Sequence, residues 1–327
     1  MTVDLVTGAR QALGPVGAFL PNIFGQPVPP AGVQVEAVQR LEEAGVRTAW
    51  NNEGVGGRDA LVQLAVLLAS TRRMTFAPAV ANMWARPPET AHGGAALLAE
   101  AYPGRFVLGL GVGYAMHAEL VGGSFDQPLS VARAYLERMD RAPAGMPIPP
   151  RTYARILAAN GPRMTALAAE IADGAIPTVA PVAHTAWARG VLGPDKLLVV
   201  GLTAALDDDP ERARALARRF VATTIAPNPW GAANLRRFGF GPEEVAAGSD
   251  RVVDAVVAHG GVDAILARVR AHLDAGADHV RLSLVVPDFG TGVDQLERVG
   301  PAFAAFAALA DVAARPAAAV AVARGDV

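Results

Sequence analysis

No cysteine occurs in the 327-residue chain. Its absence removes disulfides, thiolate nucleophiles, iron–sulfur ligation and thiol-rich zinc sites together, and points to a reducing, cytoplasmic compartment. Lysine is almost as scarce. The one lysine, Lys196 in GPDKLLVVGL, stands before the apolar part of a predicted strand. Barrel enzymes place their chemistry at strand C-terminal ends, so its position argues against a Schiff-base aldolase. The formal net charge is only −2, so nothing draws the chain generally to nucleic acid or acidic membranes. No uncharged apolar run reaches the roughly 20 residues that span a bilayer, and the opening MTVDLVTGARQALGPVG lacks the charged-then-apolar order of a signal peptide. The expectation is a soluble cytoplasmic protein acting on a small molecule, without nucleic-acid or membrane partners, as a monomer or a homodimer.

Familiar catalytic signatures are missing too. The six histidines show no i, i+4 pair with a carboxylate, so no helical zinc site and no metal are expected. None of the five serines sits in G-x-S-x-G, which excludes a hydrolase elbow.

What is present is apolar and regular. With 52% hydrophobic and 18% charged residues the chain can bury a large core. The length suits two average domains or one α/β barrel, and the alternation of β-rich runs with Ala/Leu/Arg helices selects the barrel. Strands are predicted at 16–21, 47–51, 74–81, 106–112, 155–159, 174–179, 197–203 and 279–286. Helices are predicted at 33–44, 59–70, 88–101, 129–141, 164–172, 210–222, 264–275 and 293–310. This is an α/β chain folded as a single (β/α)8 TIM barrel over residues 1–317, with an Ala-rich tail at 318–327. The Pro-, Gly- and aromatic-rich segment 223–250, after the seventh strand and helix, interrupts the rhythm. A long excursion there is expected as a lid over the barrel mouth, or as a partner-contacting surface insertion.

Several residues at the predicted C-terminal rim carry chemistry. The second strand ends in WNNEG, where Glu53 is a general acid or base or else a cap on the next helix. Trp50 beside it is a stacking wall for substrate or ordinary core, and Trp230 is the aromatic candidate from the lid. The fourth strand, in GRFVLGLGVGYAMHAE, carries Gly109, Gly111 and Gly113. Tyr114 occupies the last slot of G-x-G-x-x-G, so the dinucleotide fingerprint fails. Alternating glycines are read instead as leaving room for a flat ligand. Tyr114 and His117 leave the same strand and are the other candidates for proton transfer, whereas His92 and His279 are expected to be structural. In ILAANGPRMTALAAE a strand feeds a helix through a bare turn, which is either an ordinary loop or an anion cradle of backbone N–H groups at a helix N-terminus.

In this order the chain resembles the luciferase-like monooxygenase superfamily, and within it the actinobacterial oxidoreductases dependent on the deazaflavin coenzyme F420. The resemblance covers nearly the whole length and rests on LEEAGVRTAWNNEG, WARPPETA, PGRFVLGLGVG, ILAANGPRM, LAAEIADGA and ARVRAHLDAGADHVRLSLV. It implies a barrel with the ring of F420, or alternatively of FMN, in the mouth. Pro78, Ala79 and Val80 would form a third-strand bulge behind that ring, where many relatives hold a non-proline cis peptide. Val112 and Gly113 would line the ring or its side chain. Ala159, Asn160, Gly161 and Pro162, with Arg163 assisting, would form the phosphate cradle. Two positions depart from the family pattern: Glu53 is followed by Gly54 rather than histidine, and Tyr114 stands where relatives often carry His or Glu. The catalytic group is therefore expected among Glu53, Tyr114 and His117. An FMN-dependent monooxygenase and a non-catalytic flavin or deazaflavin binder are the alternative functions.

Overall fold

In a computed structural model, which describes residues 4–22, 25–141 and 146–313, the eight predicted strands form one parallel sheet. They are β1 (Val16–Phe19), β2 (Thr48–Asn51), β3 (Thr75–Pro78) continued after a break as β4 (Ala81–Asn82), β5 (Leu108–Gly111), β6 (Arg155–Ala158), β7 (Gly174–Ile176), β8 (Leu197–Leu206) and, as the last, β10 (His279–Leu284). β3 pairs with β2 and β4 pairs with β5, so the split third strand joins the two halves and closes the barrel. An additional short strand, β9 (Val257–Gly260), pairs with the overhanging end of β8. The expected tail at 318–327 lies outside the described residues.

Alternation along each strand sorts the side chains into two cores. Ala49, Leu157, Leu198, Val200, Val280 and Leu282 face the surrounding helices. Trp50, Ala77, Ile156, Ile176, Leu197 and Val199 form a second cluster inside the barrel. Into that cluster packs a helix that the sequence reading did not foresee, Leu5–Leu13, capped by Asp4 and inserting Val6, Ala9 and Leu13. It plugs the N-terminal end. A helix C-terminus leaves carbonyls unpaired, and the barrel supplies the donors: Thr75 Oγ1 to Ala12 (2.9 Å), Thr48 Oγ1 to Leu13 (2.7 Å) and His279 Nδ1 to Gly14 (2.7 Å).

The segment 223–250 is helical rather than irregular. Pro229–Arg237 and Pro242–Ala247 fold over a cluster of their own built on Ile225, Leu235, Phe240 and Val245 and joined to Ala205, Val252 and Val257. The three prolines and four glycines of residues 223–250 made it read as loop, yet Pro229 and Pro242 occupy first helical turns, where a missing N–H costs nothing.

His279 is fully buried, and its two partners define its state. Nδ1 donates to the Gly14 carbonyl, so Nε2 must accept from Trp50 Nε1–H at 3.0 Å. Burial pushes its pKa down to about 4 from the ordinary 6.5. The unfolded chain therefore binds a proton that the folded chain refuses. This contribution is fully present above pH 6.5 and is lost as pH falls toward 4, by on the order of 3 kcal/mol. Urea unfolding at pH 7 and pH 4.5 tests this: His279→Gln keeps a donor and an acceptor but cannot titrate, and its stability should fall distinctly less between the two conditions than that of the parent.

Candidate active site

The break between β3 and β4 shapes the mouth. There the Ala79–Val80 peptide is cis, and the bulge is clamped from β2: Asn51 C=O accepts from Ala79 N–H at 2.6 Å, and Glu53 N–H donates to Val80 C=O at 3.1 Å. On its other side the bulge seats against β5. A Cβ on Gly109 would overlap the Pro78 carbonyl, and one on Gly111 would overlap Val80 Cγ2. Gly113, at φ +60°, leaves room for the Asn82 amide and the His117 ring. The three glycines thus make a socket for the neighbouring strand. This corrects the expectation that they directly leave space for a ligand; any flat ligand on this side meets the bulge instead.

Glu53 does not stand free in the mouth. Its side chain is 1% exposed, and every contact it makes is with a donor. Oε1 accepts from Ala60 N–H (2.9 Å) and from the Arg86 guanidinium, while Oε2 accepts from Asn82 N–H (2.8 Å). Burial alone would depress the Arg86 pKa, but its bonds to Glu53 and Asp59 outweigh burial and hold it above the usual value. With a donor on each oxygen, the carboxylate anchors the segments around it.

That anchor reaches His117 through Asn82. Trp84 N–H, which can only donate, bonds to Asn82 Oδ1 at 3.0 Å, so Nδ2 must face His117 Nδ1 at 3.1 Å. Tyr114 N–H points at the same Nδ1 (3.3 Å). His117 Nδ1 is therefore an acceptor, and the neutral ring carries its proton on Nε2. Burial lowers the His117 pKa below 6.5, which keeps that form at neutral pH. The Tyr114 ring is half exposed beside it, 6.0 Å between centroids. Glu53, Tyr114 and His117 are thus brought together, with Asn82 between the first and the last.

Trp50 is brought elsewhere. Its ring is fully buried in the barrel and bonded to His279, so it does not wall a substrate; its alternative reading as core holds. Trp230 sits 57% exposed in the first turn of the helix Pro229–Arg237. Val112 lends its carbonyl to Trp84 Nε1 (2.8 Å).

At the end of β6, Asn160 fixes the turn from both sides. Its Oδ1 accepts from Thr178 N–H (2.7 Å), and its carbonyl accepts from His184 Nε2 (2.9 Å) and from Arg237 Nη1 (3.2 Å). Ala159 N–H is used within the sheet edge, to Ile176 C=O. The helix Pro162–Ile171 then starts without a side-chain cap, and a Cβ on Gly161 would meet nothing. Among the described residues no acceptor takes the N–H groups of Arg163 and Met164. Glycine here is not demanded by the protein's own packing. Asn82, Arg86, Thr178, His184 and Arg237 were not foreseen; WARPPETA and the extended end of the sixth strand were visible, but only the fold shows that they converge.

Residues 15–279 match the sequence profile of the luciferase-like monooxygenases. The chain belongs to that family. A 5,10-methylenetetrahydromethanopterin reductase of Archaeoglobus fulgidus is 25% identical over 236 residues, 64% of this chain and 70% of that protein. Among solved structures, the coenzyme F420-dependent tetrahydromethanopterin reductase of Methanopyrus kandleri superposes with a TM-score of 0.68 at 16% identity, over 88% of this chain and 97% of that one. The oxygenating constituent of 3,6-diketocamphane monooxygenase from Pseudomonas putida, in complex with FMN, gives 0.65 at 16% identity over the same shares. These likenesses agree with the predicted (β/α)8 barrel.

Glu53→Gln replaces a carboxylate that accepts from three donor groups with an amide that must present N–H to one of them. Removing one partner of a buried ion pair costs about 3–5 kcal/mol. The variant should lose stability in that range by urea unfolding at pH 7, whereas Tyr114→Phe, at an exposed ring, should change it by less than about 0.5 kcal/mol.

Proposed function

We propose that this chain is an oxidoreductase that uses coenzyme F420 for hydride transfer with a small organic substrate, an alcohol, a ketone or an activated alkene. The observation that carries the reading is the turn at Gly161, which exposes unpaired backbone N–H groups at the positive end of a helix, two strands around the barrel from the bulge. The residues present fit an anionic cofactor with a flat ring. Arg163 lies in the first turn of the helix and Arg237 reaches the Asn160 carbonyl, and among the described residues neither makes an ion pair with a carboxylate. FMN ends in one phosphate, whereas F420 carries carboxylates beyond its phosphate, so two guanidinium groups without a carboxylate partner favour the longer, more anionic molecule, even though Arg237 also bonds Asn160 and Asn234 and stacks on Trp187. The reductases among the similar proteins support the same choice, while the FMN complex keeps flavin monooxygenation as the alternative.

Bound there, the coenzyme supplies the hydride chemistry, and the protein supplies position and proton control. The bulge at Pro78, Ala79 and Val80 would back the ring, Val112 and Gly113 would line it, and Ala159, Asn160, Gly161 and Pro162, with Arg163 assisting, would hold the phosphate. His117 would donate a hydrogen bond through Nε2–H to a substrate oxygen, while Asn82 holds Nδ1. Glu53 positions Asn82 through its backbone N–H. The lid 223–250 reaches the cradle through Arg237, which ties cofactor binding to the segment that would cover the substrate.

Fluorescence titration of the full chain with F420 and with FMN tests the reading. F420 should bind the more tightly. Gly161→Val should weaken it at least tenfold with unfolding behaviour unchanged, because the added methyl groups meet only ligand. Tighter binding of FMN would turn the assignment to a flavin monooxygenase, and equal binding by Gly161→Val would remove the cradle. A second measurement addresses the proton. The acid limb of kcat/KM should lie below pH 6.5, as the lowered His117 pKa requires, and His117→Phe should cut turnover by 10²-fold or more while cofactor affinity stays within about twofold.

A further inference from the structure

One cation in the barrel has no counter-charge. Arg281, on β10, is 6% exposed, yet no carboxylate pairs with it among the described residues and its Nε has no hydrogen-bond partner. Nη1 reaches only Ser283 Oγ at 3.2 Å. The guanidinium lies 4.5 Å from the centre of the Phe19 ring, which gives partial compensation by cation–π attraction. Burial pushes its pKa down to about 10, so it is still a cation at neutral pH. An uncompensated buried charge is strongly unfavourable unless something outside the chain completes it.

The surroundings show that the space is built for this group and opens toward the mouth. Gly201, its partner in register on β8, leaves the room that the guanidinium takes: a Cβ there would stand 2.6 Å from Nη2. Arg281 is one inward position beyond His279, toward the C-terminal rim. Around and above it Phe19, Thr178, Thr203 and Ser283 are half-buried rather than closed over. Around the barrel β10 stands four strands from β5 in either direction, counting β3 and β4 as one. Arg281 is therefore across the mouth from the bulge, its glycine socket and His117.

We propose that Arg281 binds an oxyanion of the substrate, a carboxylate or a phosphate, and so holds the reacting carbon between itself and the ring face backed by the bulge. This rests on the oxidoreductase reading for the role of substrate, but the anion site itself does not. A guanidinium fork matches either oxyanion through two parallel N–H bonds, and Thr178, Thr203 and Ser283 offer hydroxyls for the remaining oxygen lone pairs. The substrate is then a hydroxy, keto or unsaturated acid, or a phosphate ester, rather than a neutral alcohol or ketone.

Calorimetric titration of the full chain with sodium acetate and with inorganic phosphate, against sodium chloride at equal ionic strength, tests this in the parent, Arg281→Met, Arg281→Lys and Gly161→Val. One of the two oxyanions should bind the parent and Gly161→Val alike, and the tighter one names the substrate's group. Arg281→Met should lose that binding at least tenfold, keep F420 or FMN affinity within twofold, and melt no lower than the parent without anion. Arg281→Lys, which keeps the charge without the fork, should bind the anion at intermediate strength and guards against a folding defect in the first variant. The proposal is overturned if the parent binds neither anion, if Arg281→Met binds as the parent does, or if Arg281→Met loses cofactor affinity as Gly161→Val does, which would place Arg281 in the cofactor site. If neither cofactor binds the parent while the Arg281-dependent anion binding persists, the cofactor reading fails and the anion site stands.

Discussion

The Glu53 carboxylate ties together three segments that would otherwise have no common register: the start of the helix after β2, the residues following the third-strand bulge, and Arg86. Each tie is a charge-assisted bond in a site that excludes water, where an acceptor left without its donor is costly. The consequence is geometric. Asn82 is fixed by its backbone to Glu53 and by its side chain to Trp84 and His117, so the position of the imidazole follows from a carboxylate two bonds away. A rim made of separate loops is thereby given the rigidity of the strands beneath it.

This arrangement changes how the glycines of β5 are understood. Three glycines at alternate positions weaken a strand, and the sequence suggests that their purpose is a ligand. The structure gives the space to Pro78, Val80, and the Asn82–His117 pair. The two readings differ by one layer. Glycine allows the neighbouring strand to bulge inward, and the bulge, not the glycine, makes the surface a ligand would touch.

Legibility from sequence followed the physics of each signal. Eight buried strands read as apolar runs because both of their faces are covered, and their order required only that pattern. The plugging helix LVTGARQAL was missed because its apolar residues meet the inside of a barrel, a partner that no local window contains. β9 was missed since four residues after a helix carry too little pattern to separate from it. Glu53, Tyr114 and His117 lie at one rim of the structure, but the Glu53–Arg86 pair was hidden: Arg86 lies in a different motif, and nothing local announces a pair between them. Trp50 shows the converse, since the last residues of a barrel strand still include an inward position deep enough to be core. One signal was available and passed unused. In HVRLSL the polar residues His279, Arg281 and Ser283 alternate with Val280, Leu282 and Leu284, so one face of a central strand is polar throughout, which a parallel strand buried on both sides does not ordinarily show.

That polar face explains why the closed end of the barrel stays neutral. His279 sits at the C-terminus of the helix Leu5–Leu13, where a macrodipole favours a protonated imidazole by about 0.3–1 kcal/mol at exposed sites and up to about 2 in partly buried ones. Burial opposes it, and the Arg281 cation one position along adds repulsion. Burial and the cation win, since the pKa falls rather than rises. Neutrality in turn is what lets Nε2 accept from Trp50, the largest side chain inside the barrel. A proton on Nε2 would set two donors against each other at 3.0 Å. The unpaired guanidinium near the open end therefore helps to keep His279 neutral at the closed end, and an anion that neutralises Arg281 would relax that restraint without touching the histidine.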